Sequence, residues 1–167
     1  MKPLSDREIS YITGFFDGEG CISVMKRLTR RPYGVYWTYS IYVRIANTNF
    51  EVLEWMQSLC GGAIYDHTKK IDRGNRQESR VWHLQGKNAQ AFLEMIEPFS
   101  IVKRRQIDLA LKFLRMGKTN APLLRAEMYA KMKEFNLRGI RNRTAVGSAS
   151  VTSDLVQVEV PFDLPTS

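Results

Sequence analysis

The chain has 167 residues, 44% hydrophobic and 25% charged, which suits one folded domain with a proper core and is too short for two comfortable ones. No apolar run nears the length of a membrane span, the opening MKPLSDREIS is too polar for a signal peptide, and no membrane partner is expected. Two cysteines and two histidines exclude a disulfide framework, a zinc finger and a His-Cys nuclease site, and suit an intracellular reducing compartment, cytoplasm or organelle matrix. The net charge is +8, and residues 144–167 hold three acids and no base, so the body before them carries 25 bases against 14 acids. A body this basic attracts polyanions, nucleic acid first among them.

Ser5 and Glu8 form a Ser-x-x-Glu capping box with Leu4 and Ile9 placed as a hydrophobic staple, which predicts a helix from Asp6 to about Asp17. Two alternating segments follow. In CISVMKR, Ile22 and Val24 oppose Ser23, Met25 and Arg27; in WTYSIYVRIA, Tyr39, Ile41, Val43 and Ile45 oppose Thr38, Ser40, Tyr42 and Arg44. Such alternation describes strands with one core face and one polar, aromatic and basic face. Pro32 and Gly34 punctuate the loop between them, which carries Arg30 and Arg31. A second helix is expected from Thr48, with Thr48 and Glu51 as its capping box and Gly61-Gly62 as its stop. GAIYDHTKK and SRVWHLQG read as a second strand pair joined by a basic loop, with Trp82 a partly buried sheet aromatic. Helices are then expected at about 88–97, 102–116 and 121–137, the last closed by Gly139. The order is α-β-β-α-β-β-α plus two helices, an α+β fold over residues 1–143. Residues 144–167, with small and polar residues, read as a mobile or surface-lying tail.

The end of the first helix holds the chemistry. Gly14 and Gly18, four apart, lie on one helical face and leave backbone where a second helix could approach. A glycine inside a helix costs about 1 kcal/mol relative to alanine, so Gly14 asks for a packing reason. Asp17 and Glu19 stand at the negative end of the helix dipole, where a carboxylate is disfavoured without a nearby cation. Carboxylates are the ligands that Mg²⁺ prefers. Alone, Asp-Gly-Glu-Gly is most simply two solvated acids in a turn; its lead into a basic, aromatic strand face changes the balance.

ITGFFDGEG, Ile12 to Gly20, resembles the LAGLIDADG motif of homing endonucleases, with Glu at the second acid, and EPFSIVKRRQ, Glu97 to Gln106, resembles that family's segment delivering a basic residue to the active site. One motif copy over about residues 5–137 implies the single-motif, homodimeric type. The resemblance implies a four-stranded antiparallel saddle-shaped sheet. It also implies a dimer interface at Gly14, Phe15, Asp17 and Gly18, where Asp17 helps hold the helix ends. Metal binding falls to Glu19 and Gly18, with Mg²⁺ as cofactor and Mn²⁺ able to substitute, and catalysis to Glu19, Lys103 and, more weakly carried over, Asn47. The implied activity is a metal-dependent double-strand break with short 3′ overhangs at a long pseudo-palindromic site in double-stranded DNA. Base reading is expected from Ser23, Met25, Arg27, Thr38, Ser40, Tyr42 and Arg44, and from Tyr65, His67, Lys69 and Arg80. Arg30, Arg31, Arg73 and Arg76 would reach flanking bases or phosphates, and Lys131, Lys133, Arg138, Arg141 and Arg143 the phosphate backbone. The alternative on the same fold is an intron RNA-splicing maturase, with RNA as partner, or a non-cleaving DNA-binding regulator.

Overall fold

Period-2 alternation decides which way each strand faces, and the sheet follows from it. The computed structural model describes residues 4–32, 34–66, 78–117 and 121–137. In chain order the elements are α1 (Asp6–Glu19), β1 (Gly20–Arg31), β2 (Gly34–Asn47), α2 (Phe50–Cys60), β3 (Ala63–Asp66), β4 (Arg80–Gln85), α3 (Gly86–Ile96), α4 (Arg104–Arg115) and α5 (Pro122–Asn136). This is the expected α+β order. The strands form one four-stranded antiparallel sheet in the order β1-β2-β4-β3. These elements belong to a compact unit ending at Leu137. Gly139 and the expected tail lie outside the described residues.

The core sits between one face of the sheet and the helices. Ile22 and Val24 of β1, Ile41, Val43 and Ile45 of β2, and Trp82 and Leu84 of β4 are all buried, as the alternation requires. The helices add Ile12 and Phe16 from α1, Leu53 and Met56 from α2, and Phe92, Leu93 and Ile96 from α3. Phe92 meets Phe16 and Trp82 edge-on, with ring centroids 5.2 and 5.3 Å apart, the geometry that aromatic quadrupoles favour. The Trp82 indole N–H donates to the Gly61 carbonyl at 2.8 Å, so this buried donor is satisfied.

Three local expectations change. The N-cap of α2 is Asn49, whose side chain accepts from the Val52 N–H; Thr48 lies one residue outside the cap. The loop expected around Arg30 and Arg31 is strand, since the β1–β2 ladder continues until Arg31 pairs with Gly34. Cross-strand contacts hold this long ribbon: the Thr29 and Thr38 hydroxyls are 2.9 Å apart, and the Lys26 ammonium lies 4.2 Å from the Trp37 ring centre. Finally, α1 runs two residues past Asp17 to end at Glu19, because the Gly20 N–H still donates to the Phe16 carbonyl.

Gly20 makes the turn from α1 into β1 possible. A Cβ there would collide with the Phe16 ring and carbonyl, and Phe16 is fully buried, so neither neighbour has room to yield. Gly20→Ala is expected to destabilise the protein by about 1–3 kcal/mol, the usual range for overpacking a filled site, measured as a shift in urea-unfolding midpoint at unchanged slope.

Candidate active site and nucleic-acid face

Two acids two residues apart on α1 have opposite surroundings. Asp17 is buried. Its carboxylate accepts from the Ser100 hydroxyl at 2.6 Å and from the backbone N–H groups of Ile101, Val102 and Lys103 at 2.8, 3.0 and 3.3 Å. Lys103 caps the N-terminus of α4, so the carboxylate sits at the positive end of that helix dipole. In return the buried Lys103 ammonium donates to the Asp17 carbonyl at 2.5 Å, satisfying a carbonyl at the negative end of α1. The cation that the dipole argument demanded near Asp17 is therefore supplied within the chain. Its side chain faces residues 100–103 of its own chain, and so holds the end of α1.

Glu19, the last residue of α1, is exposed and makes no hydrogen bond or ion pair among the described residues. Gly14 and Gly18 are also exposed, with open space where a Cβ would stand, and Tyr11 on the same helix is 57% exposed. Phe15 is half-buried against the core and stacked on Tyr11. Three apolar residues of the segment joining α3 to α4 are exposed too: Phe99, Val102 and, at 86%, Ile101. Sequence reading passed over these and Ser100, which no local pattern marks. Asn47 ends β2, two residues beyond the Ile45 that pairs with Gly20, and its side-chain oxygen accepts from the Asn49 N–H at 2.8 Å. It thus stands at the same end of the sheet as Glu19 while shaping the turn into α2.

Among the described residues no cluster of three or more His, Cys, Asp or Glu could hold a metal. At the end of α1, Glu19 is a carboxylate without a hydrogen bond or ion pair among the described residues. That hard donor fits Mg²⁺ if a second copy, phosphate oxygens and water complete the ligand set.

The register places Ser23, Met25, Arg27, Thr38, Ser40, Tyr42, Arg44 and Tyr65 on the sheet face opposite the core. No Asp or Glu stands among the strand residues of that face. Arg80 does not belong to it. Its position has the parity of the buried Trp82, and its guanidinium bonds Glu54 and Asp66 at 3.2 Å each while lying over the Phe50 ring. His83 and Gln85 take the outward positions instead. Arg30 and Arg31 are exposed at the far end of β1, and Lys131 and Lys133 are exposed on α5. His67, Lys69, Arg73, Arg76, Arg138, Arg141 and Arg143 lie outside the described residues.

The LAGLIDADG endonuclease family matches residues 12–111, and the chain belongs to that family. Known structures agree with the fold. The homing endonuclease I-CvuI, in complex with an I-CreI target and Mg with the DNA not cleaved, is 20% identical with a TM-score of 0.63, over 77% of this chain and 82% of that one. The archaeal intron-encoded homing endonuclease I-Vdi141I, complexed with DNA, is 23% identical with a TM-score of 0.62, over 80% and 87%. The group I intron-encoded homing endonuclease I-CeuI, complexed with DNA, is 12% identical with a TM-score of 0.59, over 79% and 69%. No curated protein sequence matches the chain significantly.

Burial pushes the Asp17 carboxyl up, but the hydrogen bonds from Ser100 and the N–H groups of Ile101, Val102 and Lys103 outweigh it and leave its pKa below the ordinary 3.8. A carboxylate with a depressed folded pKa stabilises above its unfolded pKa and ceases to do so as pH falls through the folded value. Asp17→Asn should therefore cost about 2–3 kcal/mol at pH 7, the order expected when charge-assisted bonds to buried donors are lost. The gap from wild type should narrow as pH falls below 3.8, as read by urea unfolding at a series of pH values.

Proposed function

We propose that the protein is a homodimeric, site-specific homing endonuclease that makes Mg²⁺-dependent double-strand breaks with short 3′ overhangs at a long pseudo-palindromic DNA site. One observation carries the reading: the bare-glycine face of α1 ends in an exposed Glu19 that pairs with none of the described residues. Two copies packed through Gly14 and Gly18 would bring their Glu19 carboxylates together at the centre of the site. The exposed Tyr11 flanks the same helix face, and Ile101 and Val102 stand at its C-terminal end, where a second copy would cover them.

Metal bound by the paired Glu19 residues would activate water and stabilise charge on the phosphate and the leaving 3′ oxygen. Asp17 keeps the end of α1 fixed, so Glu19 is aimed before DNA arrives. Lys103, with its ammonium at that helix end, would add positive charge as the phosphate becomes more negative in the transition state. Asn47 would orient water with whatever hydrogen-bonding capacity its turn leaves free. The outer sheet face would enter the major groove, where a β-ribbon fits and alternate side chains reach base edges. No observation favours the maturase or non-cleaving reading, and the related proteins named above were crystallised with DNA.

Incubating wild type and Glu19→Gln with randomised long duplexes and Mg²⁺, then sequencing new ends, tests the function. Breaks at one pseudo-palindromic site are expected from wild type and none from Glu19→Gln, with binding retained. Equal cutting by both would remove Glu19 from the chemistry, and tight binding without cutting by either would leave the non-cleaving reading. Gly14→Leu is expected to sediment as a monomer and to lose cleavage; an active, dimeric Gly14→Leu would refute the interface.

A further inference from the structure

The outer face carries a joined cluster, drawn from all four strands, in which Ser23, Tyr42, Arg44 and Tyr65 are expected base readers while His83 and Gln85 have been given no role. One cross-strand row sets Arg44 opposite His83; the next sets Tyr42 between Ser23 and Gln85. The His83 ring stacks on Tyr42, with centroids 5.8 Å apart and planes within 17°, and meets the Tyr65 ring at 5.1 Å. Its Nε2 is 2.6 Å from the Gln85 carboxamide nitrogen, while its Nδ1 is buried and has no partner among the described residues. Arg44 donates to the Ser23 hydroxyl at 3.0 Å and lies 5.8 Å from the Tyr42 ring centre.

Stability alone does not explain these groups. They stand on the face away from the hydrophobic core, and two of them keep unused hydrogen-bonding capacity. A guanidinium has five N–H donors. Among the described residues Arg44 pairs with no carboxylate, unlike Arg80, Arg104 and Arg115. Gln85 is exposed, and after giving one N–H to His83 it still offers a second N–H beside its carbonyl oxygen. A donor beside an acceptor matches N7 and N6 of adenine, and a guanidinium matches O6 and N7 of guanine.

With the Gln85 carboxamide nitrogen turned to His83, Nε2 accepts, the imidazole is neutral and its proton is on Nδ1. Burial, and then the Arg44 cation opposite, hold the His83 pKa below its usual value and favour that form. A buried N–H with no acceptor works against stability, and such exceptions call for another reason.

We propose that His83 is a positioning residue for sequence reading: it fixes the Gln85 carboxamide so that Gln85 selects an adenine, beside a guanine selected by Arg44, in each half-site. This rests on the reading above that the outer face meets DNA, so the test reads binding instead of cleavage. Bound duplexes are selected from a randomised library by wild type, Arg44→Ala, Gln85→Ala and His83→Phe. The last keeps an aromatic ring between Tyr42 and Tyr65 and removes the acceptor; its thermal unfolding is recorded alongside.

Wild type should recover a motif with an adenine and a guanine in each half-site. Gln85→Ala and His83→Phe should each weaken the adenine preference about tenfold, and Arg44→Ala the guanine preference by a similar factor. His83→Phe should keep the guanine preference and unfold near the wild-type temperature. If the motif is unchanged in His83→Phe, or every position weakens equally, the positioning role is overturned alone. If wild type recovers no motif, it falls together with the endonuclease reading.

Discussion

The site depends on one buried carboxylate. Asp17 accepts a hydroxyl and three backbone N–H groups from residues 100–103, and so ties the end of α1 to the start of α4 across more than eighty residues of chain. The two helix ends have opposite dipole signs. The contact therefore gathers a positive helix end, a negative one, a carboxylate and an ammonium into a neutralised cluster. The direction in which Glu19 leaves α1, the placing of Lys103 and the presentation of Ile101 and Val102 all follow from it. The buried Asp17 and the exposed Glu19 are separated by one residue, Gly18.

What was legible in the sequence was what local rules govern. The Ser5–Glu8 box is present with both hydrogen bonds made, and alternation in β1 and β2 sorted inward from outward residues, because a strand has only two faces. Elsewhere neighbours competed. Thr48 and Asn49 are both good caps, and the turn in which Asn47 accepts from the Asn49 N–H goes with a helix capped by Asn49. The parity of β4 is legible in the sequence: with Trp82 facing inward, Arg80 faces inward too and His83 and Gln85 face outward, contrary to the expectation of Arg80 as a base reader. Asp17 shows the limit of local reading. The demand for positive charge near it was sound, but a sequence window cannot see a helix start more than eighty residues away.

The two faces of the sheet divide the work. The inner face is apolar and closed by helices. The outer face carries no carboxylate among its described residues, and basic and hydrogen-bonding side chains stand there beside exposed aromatics. That is the composition a polyanion with readable edges requires. The long β1–β2 ribbon extends the surface beyond the helices, so Arg30 and Arg31 stand at its tip instead of in a loop. In the proposed dimer, affinity, base choice and cleavage reside on different elements and meet at Gly20, where α1 becomes β1.

The central claim is that two copies bring their α1 ends together. It is tested most directly by replacing Cys21 and Cys60 with serine, placing a single cysteine by Glu19→Cys, and treating with an oxidant or a short bis-maleimide. A disulfide forms only when the two Cα atoms come within about 4.4–6.8 Å, and the reagent extends that reach modestly. The account predicts a covalent dimer from Glu19→Cys and none from an exposed control, Lys87→Cys. Absence of a covalent dimer at Glu19, or equal yields at both positions, would contradict it.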